Sequence, residues 1–286
     1  MDRPLRFGVS TPGGPLAVEE LRSVARVISR SLDIVLWFED FASPPPIAEF
    51  AVARRWGARP IVTWEPWLCR GHARNVSSEP FQLIVEGRYD AYLRRWADEL
   101  RDFGSTVYVR FAHEFNGTWY PWSPAGGTSA SAYTAAWRHL HSLFAAHGAA
   151  NVRWVWAADA SSEQEGALQD WYPGTDCVDV LAVDGYNWGT SLPGARWVTP
   201  PDLFARPLEQ LRGIDDGKPI LVTEVACAEA GGDKPAWIGD LVRELSGQRN
   251  VTGFVWFDHD KETDWRLTSS PESAQAMAAA LQDVAA

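Results

Sequence analysis

Residues 110–122 read RFAHEFNGTWYPW: an apolar run suited to a strand ends in His113 and Glu114, and Asn116-Gly117 and large aromatics follow. A second glutamate, Glu224, closes the apolar run Ile220-Leu221-Val222 in KPILVTEVA. Carboxyl groups delivered by two separate strands can divide acid–base labour. One protonates a leaving oxygen while the other attacks or activates water, which is what cleavage of a glycosidic bond requires. A single glutamate at a strand end is more often a salt bridge or a helix cap. Two together, ringed by indoles, favour the chemical reading.

Both carboxylates need a frame, and the chain repeats one. Short apolar runs recur at 6–10, 33–40, 59–67, 106–114, 152–159, 178–187, 218–226 and 251–260. Amphipathic stretches lie between many of them, among them EELRSVARVISR, YDAYLRRWADELRDF, SAYTAAWRHLHSLFAAHG and KPAWIGDLVRELSG, and SAQAMAAALQDVAA follows the last run. In the second of these Leu93, Trp96, Ala97 and Leu100 keep helical spacing on one face, while Arg94, Arg95, Asp98 and Arg101 take the other. Strands apolar on both faces and separated by helices predict a closed parallel sheet, and eight such units make a single (β/α)8 TIM barrel spanning 1–286. Chemistry in that fold sits at the C-terminal ends of the strands, where Glu39-Asp40, Trp64-Glu65, His113-Glu114, Asp159, Asp184, Tyr186, Glu224, Trp256 and Asp258 all fall. The stretches Leu68–Gly87 and NGTWYPWSPAGG are expected to be long loops walling a groove on that face.

The chain has 286 residues and a formal net charge of -11, which opposes binding to nucleic acid or anionic lipid. Sixteen tryptophans suit the flat faces of sugars, although at least half are expected to fill core. Cys69, Cys177 and Cys227 lack zinc-type spacing and read as buried small hydrophobes. No apolar run approaches membrane-spanning length, and MDRPLRF has no signal-peptide core.

The segments FGVSTPGGP, TWEPW, RFAHEFNGTWYPW, DGYNWG, VTEVACAEAGGDKPAWI and WFDHDKETDWR together resemble glycoside hydrolase family 26, a family of β-mannanases, mixed-linkage β-glucanases and β-1,3-xylanases. The resemblance covers essentially the whole chain, and His-Glu followed by Asn-Gly and Trp is its most specific part. It implies a retaining, cofactor-free and metal-independent barrel enzyme acting on β-linked polysaccharide, β-1,4-mannan first and mixed-linkage glucan or β-1,3-xylan as alternatives. It also implies that Glu114 is the acid/base, Glu224 the nucleophile and Tyr186 a hydroxyl holding the nucleophile. Trp256 would be the aromatic platform at the cleavage site, with Trp119 across the bond. Secretion and a monomer are implied as well, with a cytoplasmic location left open by the absent signal. Two departures stand out: Val225-Ala226 replaces an aromatic and glycine after the nucleophile, and WYPW replaces a Trp-Trp-Gly-type run.

Several residues keep two readings. Phe111, Phe115 and Trp119 would raise the pKa of Glu114, or merely pack; Tyr186 would favour ionised Glu224. His113 is either a polar brace orienting Glu114 or a satisfied core histidine. Asn116, Trp64, Glu65, Asp184, Asp264 and Trp265 are candidate subsite or supporting groups, and for Glu65, Asp184, Asp264 and Trp265 an ion pair or loop clasp is an equal alternative. No metal site is expected: HExxH is absent and the other histidines, His72, His139, His141, His147 and His259, are scattered. A non-catalytic carbohydrate-binding barrel would need neither glutamate, and a metal-dependent hydrolase would need a histidine cluster.

Overall fold

The computed structural model describes residues 5–70, 73–75, 79–161 and 168–284, of which 68–70, 73–75 and 79–80 are described by their backbone alone. Eight parallel strands close into a barrel: β1 (Arg6–Ser10), β2 (Ile34–Asp40), β3 (Arg59–Glu65), β6 (Val107–Phe111), β7 (Val152–Asp159), β8 (Val180–Asn187), β9 (Ile220–Cys227) and β10 (Val251–Phe257). They follow chain order around the barrel, and β1 meets β10 from Arg6 against Gly253 to Ser10 against Phe257. These are the eight runs read from the sequence, joined as a (β/α)8 barrel.

Between them lie α1 (Val18–Val27), α2 (Ile47–Arg55), α3 (Glu79–Val85), α4 (Asp90–Phe103), α5 (Ala130–Ala146), α6 (Pro200–Ile214), α7 (Lys234–Gly247) and α8 (Pro271–Asp283). Side-chain oxygens of Ser129, Thr199, Asp233 and Ser270 accept from backbone N–H groups and cap the last four helices. The stretch expected to be a loop after β3 instead holds an antiparallel hairpin, β4 (Leu68–Arg70) with β5 (Ala73–Asn75), and α3. His72 and the side chain of Cys69 lie outside the described residues, whereas Cys177 and Cys227 are buried free thiols.

Alternation along each strand divides the core into two layers. Ile34, Leu36, Ile61, Val155, Ala157, Val180, Ala182, Leu221 and Val255 fill the barrel interior. Their neighbours of opposite parity, such as Val35, Val62, Val109, Trp156 and Leu181, face the helices. The outer layer holds twelve of the sixteen tryptophans, and only Trp56, Trp119, Trp188 and Trp197 escape burial. Trp64 on β3 stacks on Trp96 of α4 with ring centroids 4.1 Å apart.

Candidate active site

Tyr108 packs against the barrel interior, so alternation turns Arg110, two residues on, inward as well. A fully buried cation must find partners. The guanidinium has three: Nε donates to Thr63 Oγ1 at 2.8 Å, one terminal nitrogen to Asp184 Oδ2 at 2.6 Å, and the other to Glu224 Oε1 in a short contact. Arg110 opens the RFAHEFNGTWYPW segment, but sequence reasoning gave it no role. Its parity with Tyr108 inside an apolar strand was the signal available.

Beyond Phe111 the strand ends, three residues before Glu114 and earlier than its apolar pattern suggests. Ala112 and Glu114 both adopt left-handed backbone, with φ of 46° and 52°, a region that costs a non-glycine residue on the order of 1 kcal/mol or more. Hydrogen bonds hold them there: Ala112 N–H to Trp64 O, Tyr133 OH to Ala112 O, Glu114 N–H to Ala157 O, and Gly117 N–H to Glu114 O. The chain thus turns sharply enough to aim Glu114 over the barrel mouth. Gly117 leaves room for the returning Trp119 ring, since a Cβ there would sit 2.6 Å from the indole.

Glu224 arrives by a different device. Val183 pairs with Val222, but Asp184 pairs with Glu224, so Thr223 is an extra residue in β9, and the β10 side shifts register over the same stretch. A bulge of this kind turns successive side chains to one face. Thr223 Oγ1 reaches Asp184 Oδ1 at 2.5 Å, while Glu224 meets Arg110 and accepts a short hydrogen bond from the Tyr186 hydroxyl. β9 continues three residues past Glu224 to Cys227 rather than ending there.

The two glutamates converge. Ligand atoms of His113, Glu114 and Glu224 all lie within 4.8 Å of one another. Burial pushes the Glu114 carboxyl well above the usual range, helped by the negative charges of Glu224, Asp184 and Asp159, against a 2.7 Å hydrogen bond from Trp119 Nε1 that favours its ionised form. Burial also holds His113 well below the ordinary histidine range, with Arg110 and Lys261 acting the same way. His113 Nε2 pairs with Tyr120 OH at 3.0 Å and lies 3.9 Å from Glu224 Oε1, so the brace acts on Tyr120 rather than on Glu114. A cation held by this trio would face the Arg110 guanidinium and displace Tyr120 from His113, which disfavours metal binding.

A cavity of about 550 Å³ opens over the pair at the C-terminal ends of the strands. Of the residues singled out from sequence, Glu65, Glu114, Trp119, Asp159, Tyr186, Glu224 and Trp265 line it. His113 and Asp184 lie buried beneath it. The others hold the frame. Trp64 belongs to the outer core. Asn116 ties the β6 exit to the backbone of Asp159 through two hydrogen bonds. Asp264 is held by Arg266 at 2.6 Å, outside the cavity lining.

Trp256 requires a correction. It is fully buried, its Nε1 donating to Trp265 O at 3.0 Å, because strand alternation turns it toward the helices and its neighbour Phe257 toward the cavity. Trp265, itself fully buried, borders the cavity where Trp256 does not, with its ring 5.2 Å from Tyr186. Phe111 and Phe115 also face the outer core, Phe115 stacking on Trp156, so they do not touch the cavity. Residues to which sequence reasoning gave no site role complete the lining: Phe38, Trp67, Tyr120, Ser161, Trp188, Phe257, His259, Lys261 and Glu262. His259, set among the scattered histidines, stacks on Phe257 at 3.8 Å, and burial pushes it down to about 4.

Sequence comparison points the same way. The sequence model of Glycosyl hydrolase family 26 matches residues 76–198, the stretch that carries Glu114 and Tyr186. Endoglucanase H of Acetivibrio thermocellus is 36% identical over 266 residues, 90% of this chain but 28% of that protein. Mannan endo-1,4-beta-mannosidase A and B of Caldalkalibacillus mannanilyticus is 35% identical over 96 residues, 32% of this chain and 18% of that protein. The chain therefore spans less than a third of these relatives. In fold it is similar to the catalytic domain of a GH26 endo-beta-1,4-mannanase from Bacillus sp. JAMB-750, with a TM-score of 0.74 over 99% of this chain and 86% of that one at 16% identity. With His113-Glu114 at the exit of β6, Glu224 on β9 and a match along nearly the whole barrel, this chain belongs to glycosyl hydrolase family 26.

Proposed function

We propose that this barrel is a retaining endo-β-glycanase that works by double displacement. The observation that carries the reading is the approach of Glu114 and Glu224 within 4.8 Å beneath an aromatic cavity. Retention calls for carboxyl groups about 5 to 5.5 Å apart, so that the nucleophile reaches the anomeric carbon without an intervening water, whereas inversion needs about 6.5 to 9.5 Å. Glu114, protonated because it is buried, gives its proton to the glycosidic oxygen as Glu224 attacks the anomeric carbon. The aglycone leaves and a glycosyl ester remains on Glu224. Glu114, now a carboxylate, takes a proton from the water that attacks the same carbon, and Glu224 departs. Arg110 and Tyr186 each hold one oxygen of Glu224 and fix its line of attack. All of these groups are protein side chains, so no metal takes part.

For the substrate, the relative matched along 90% of this chain bears the name endoglucanase, which supports a β-linked glucan. The shorter matches to mannan endo-1,4-beta-mannosidases support β-1,4-mannan as the second reading. A panel of mixed-linkage β-glucan, β-mannan, galactomannan and β-1,3-xylan, with product sizes recorded, decides between them. Short oligosaccharides should appear early from one of the first three. Inertness on all of these with turnover of an α-linked glucan would overturn the proposal.

A further inference from the structure

Lys234 is the first residue of α7, and it is fully buried. Neither fact is explained by the helix. A cation in the first turn opposes the helix dipole, and lysine is almost never fully buried without dedicated partners. Its ammonium points away from α7 into the loop that follows β10, donating to Arg266 O at 2.9 Å and Ser269 Oγ at 2.7 Å, with Trp265 O at 3.5 Å. It also lies 5.8 Å over the ring of buried Trp256, whose Nε1 donates to the same Trp265 carbonyl. Glu229, just before α7, receives the hydroxyls of Ser269, Ser270 and Ser273 where that loop runs into α8. The loop's other ties include Asp258 accepting from Leu267 N–H, and Trp265 N–H to His259 O.

Trp265 sits at the centre of this fastening and faces the cavity. Its ring packs against Tyr186, whose hydroxyl donates to Glu224. We infer that Lys234 is a positioning residue: by holding the backbone of Trp265 and Arg266 it sets the Trp265 ring against Tyr186 and the sugar bound beside Glu224. The inference rests on the glycanase reading for its effect on turnover. Burial pushes the Lys234 ammonium below the ordinary lysine range, while Glu229, Asp264 and Asp258 oppose that shift. A neutral side chain of equal length would leave the Arg266 carbonyl without this donor and free the loop to drift. A displacement near 1 Å in a group that orients substrate costs roughly 100-fold in rate.

A double-mutant cycle between Lys234→Met and Trp265→Ala tests this, read on an aryl β-glycoside with an acidic phenol leaving group. Lys234→Met should lower kcat/KM about 10- to 100-fold in the wild-type background and less than about threefold in the Trp265→Ala background, because its effect passes through that ring. Equal losses in both backgrounds would overturn the inference. Lys234→Arg, which keeps a cation and donors, should recover part of the activity lost by Lys234→Met. If Lys234→Met does not fold, Ser269→Ala replaces it in the cycle, with about 3- to 10-fold loss against less than about twofold. A readout independent of turnover comes from 19F spectra of protein labelled with 5-fluorotryptophan. The Trp265 resonance, identified by its loss in Trp265→Ala, should shift or broaden in Lys234→Met or Ser269→Ala. An unchanged resonance overturns the inference, whereas a shifted resonance with wild-type protein inert on every glycoside would sink the glycanase reading alone.

Discussion

Arg110 binds Thr63, Asp184 and Glu224 at once from the bottom of the site, and all four side chains are buried. Removing it leaves two carboxylates without their cation. Arg110→Met should destabilise the fold by about 3 to 5 kcal/mol and abolish turnover in the fraction that still folds, as urea unfolding and kinetics on the soluble protein would reveal. A stable and active Arg110→Met would mean that Glu224 is held by something else. Glu114 yields a pH prediction with a definite sign. Its carboxyl stands above the ordinary range, so the acid is competent below its folded pKa and activity falls as pH rises through it. The Trp119 indole favours the ionised form. Trp119→Phe should therefore move the alkaline limb of kcat/KM to higher pH, and a shift the other way would contradict the role given to that hydrogen bond. Stability follows from the same elevation. Below about pH 4 folded and unfolded states both carry the proton, and stability is lost as pH rises through the folded pKa. Glu114→Gln abolishes that loss, so it should raise Tm at pH 7 and change it little at pH 4.

At the scale of elements, two local irregularities aim the carboxylates: left-handed backbone at Ala112 and Glu114, and the bulge at Thr223. Thr223→Val keeps the shape but removes the hydroxyl on Asp184, and it should cost about 1 to 3 kcal/mol of stability. These irregularities mark where sequence reading ran out. The eight strands were legible because apolar runs of strand length alternate with amphipathic stretches, and His113-Glu114 and Glu224 were legible as acids at the ends of such runs. Side-chain direction was less so. Regular alternation turns Trp256 away from the cavity, yet the same rule applied to β9 would have turned Glu224 away too, and only the bulge brings it back. Helix α6 was hidden by its prolines, Pro200 and Pro201 at its start, where they are tolerated, and Pro207 within. Trp265 and Lys261 sit in the loop after β10, where no periodicity tells which residues face the cavity. The division between frame and site is itself testable. Trp64→Ala and Trp265→Ala both empty fully buried positions and should each cost about 3 to 5 kcal/mol, but Trp64→Ala should leave kcat of the folded protein within a few-fold, whereas Trp265→Ala should lose turnover as well.

Across the whole molecule, the barrel gathers on one face groups that lie far apart in the chain. The fourth barrel strand exits into Glu114, the seventh carries Glu224, the sixth supplies Asp184 and Tyr186, and the loop after the eighth supplies Trp265. Closure of the sheet brings the two glutamates to opposing sides of one cavity. A net charge of -11 on the chain leaves an uncharged polymer as a suitable ligand for that face. Because acid, nucleophile and supporting cation all come from side chains, turnover should survive exhaustive treatment with EDTA; activity lost and then restored by a divalent ion would point to different chemistry. The central claim is that Glu224 forms a bond to the sugar. A 2-deoxy-2-fluoro glycoside with a reactive leaving group forms the glycosyl-enzyme but slows its breakdown, so peptide mass spectrometry reads the attachment directly. The account predicts one added fluoroglycosyl unit on the peptide containing Glu224, localised to that residue and absent from Glu224→Ala. Hydrolysis of natural substrate with no adduct on Glu224, and with the α-anomer released first, would contradict it.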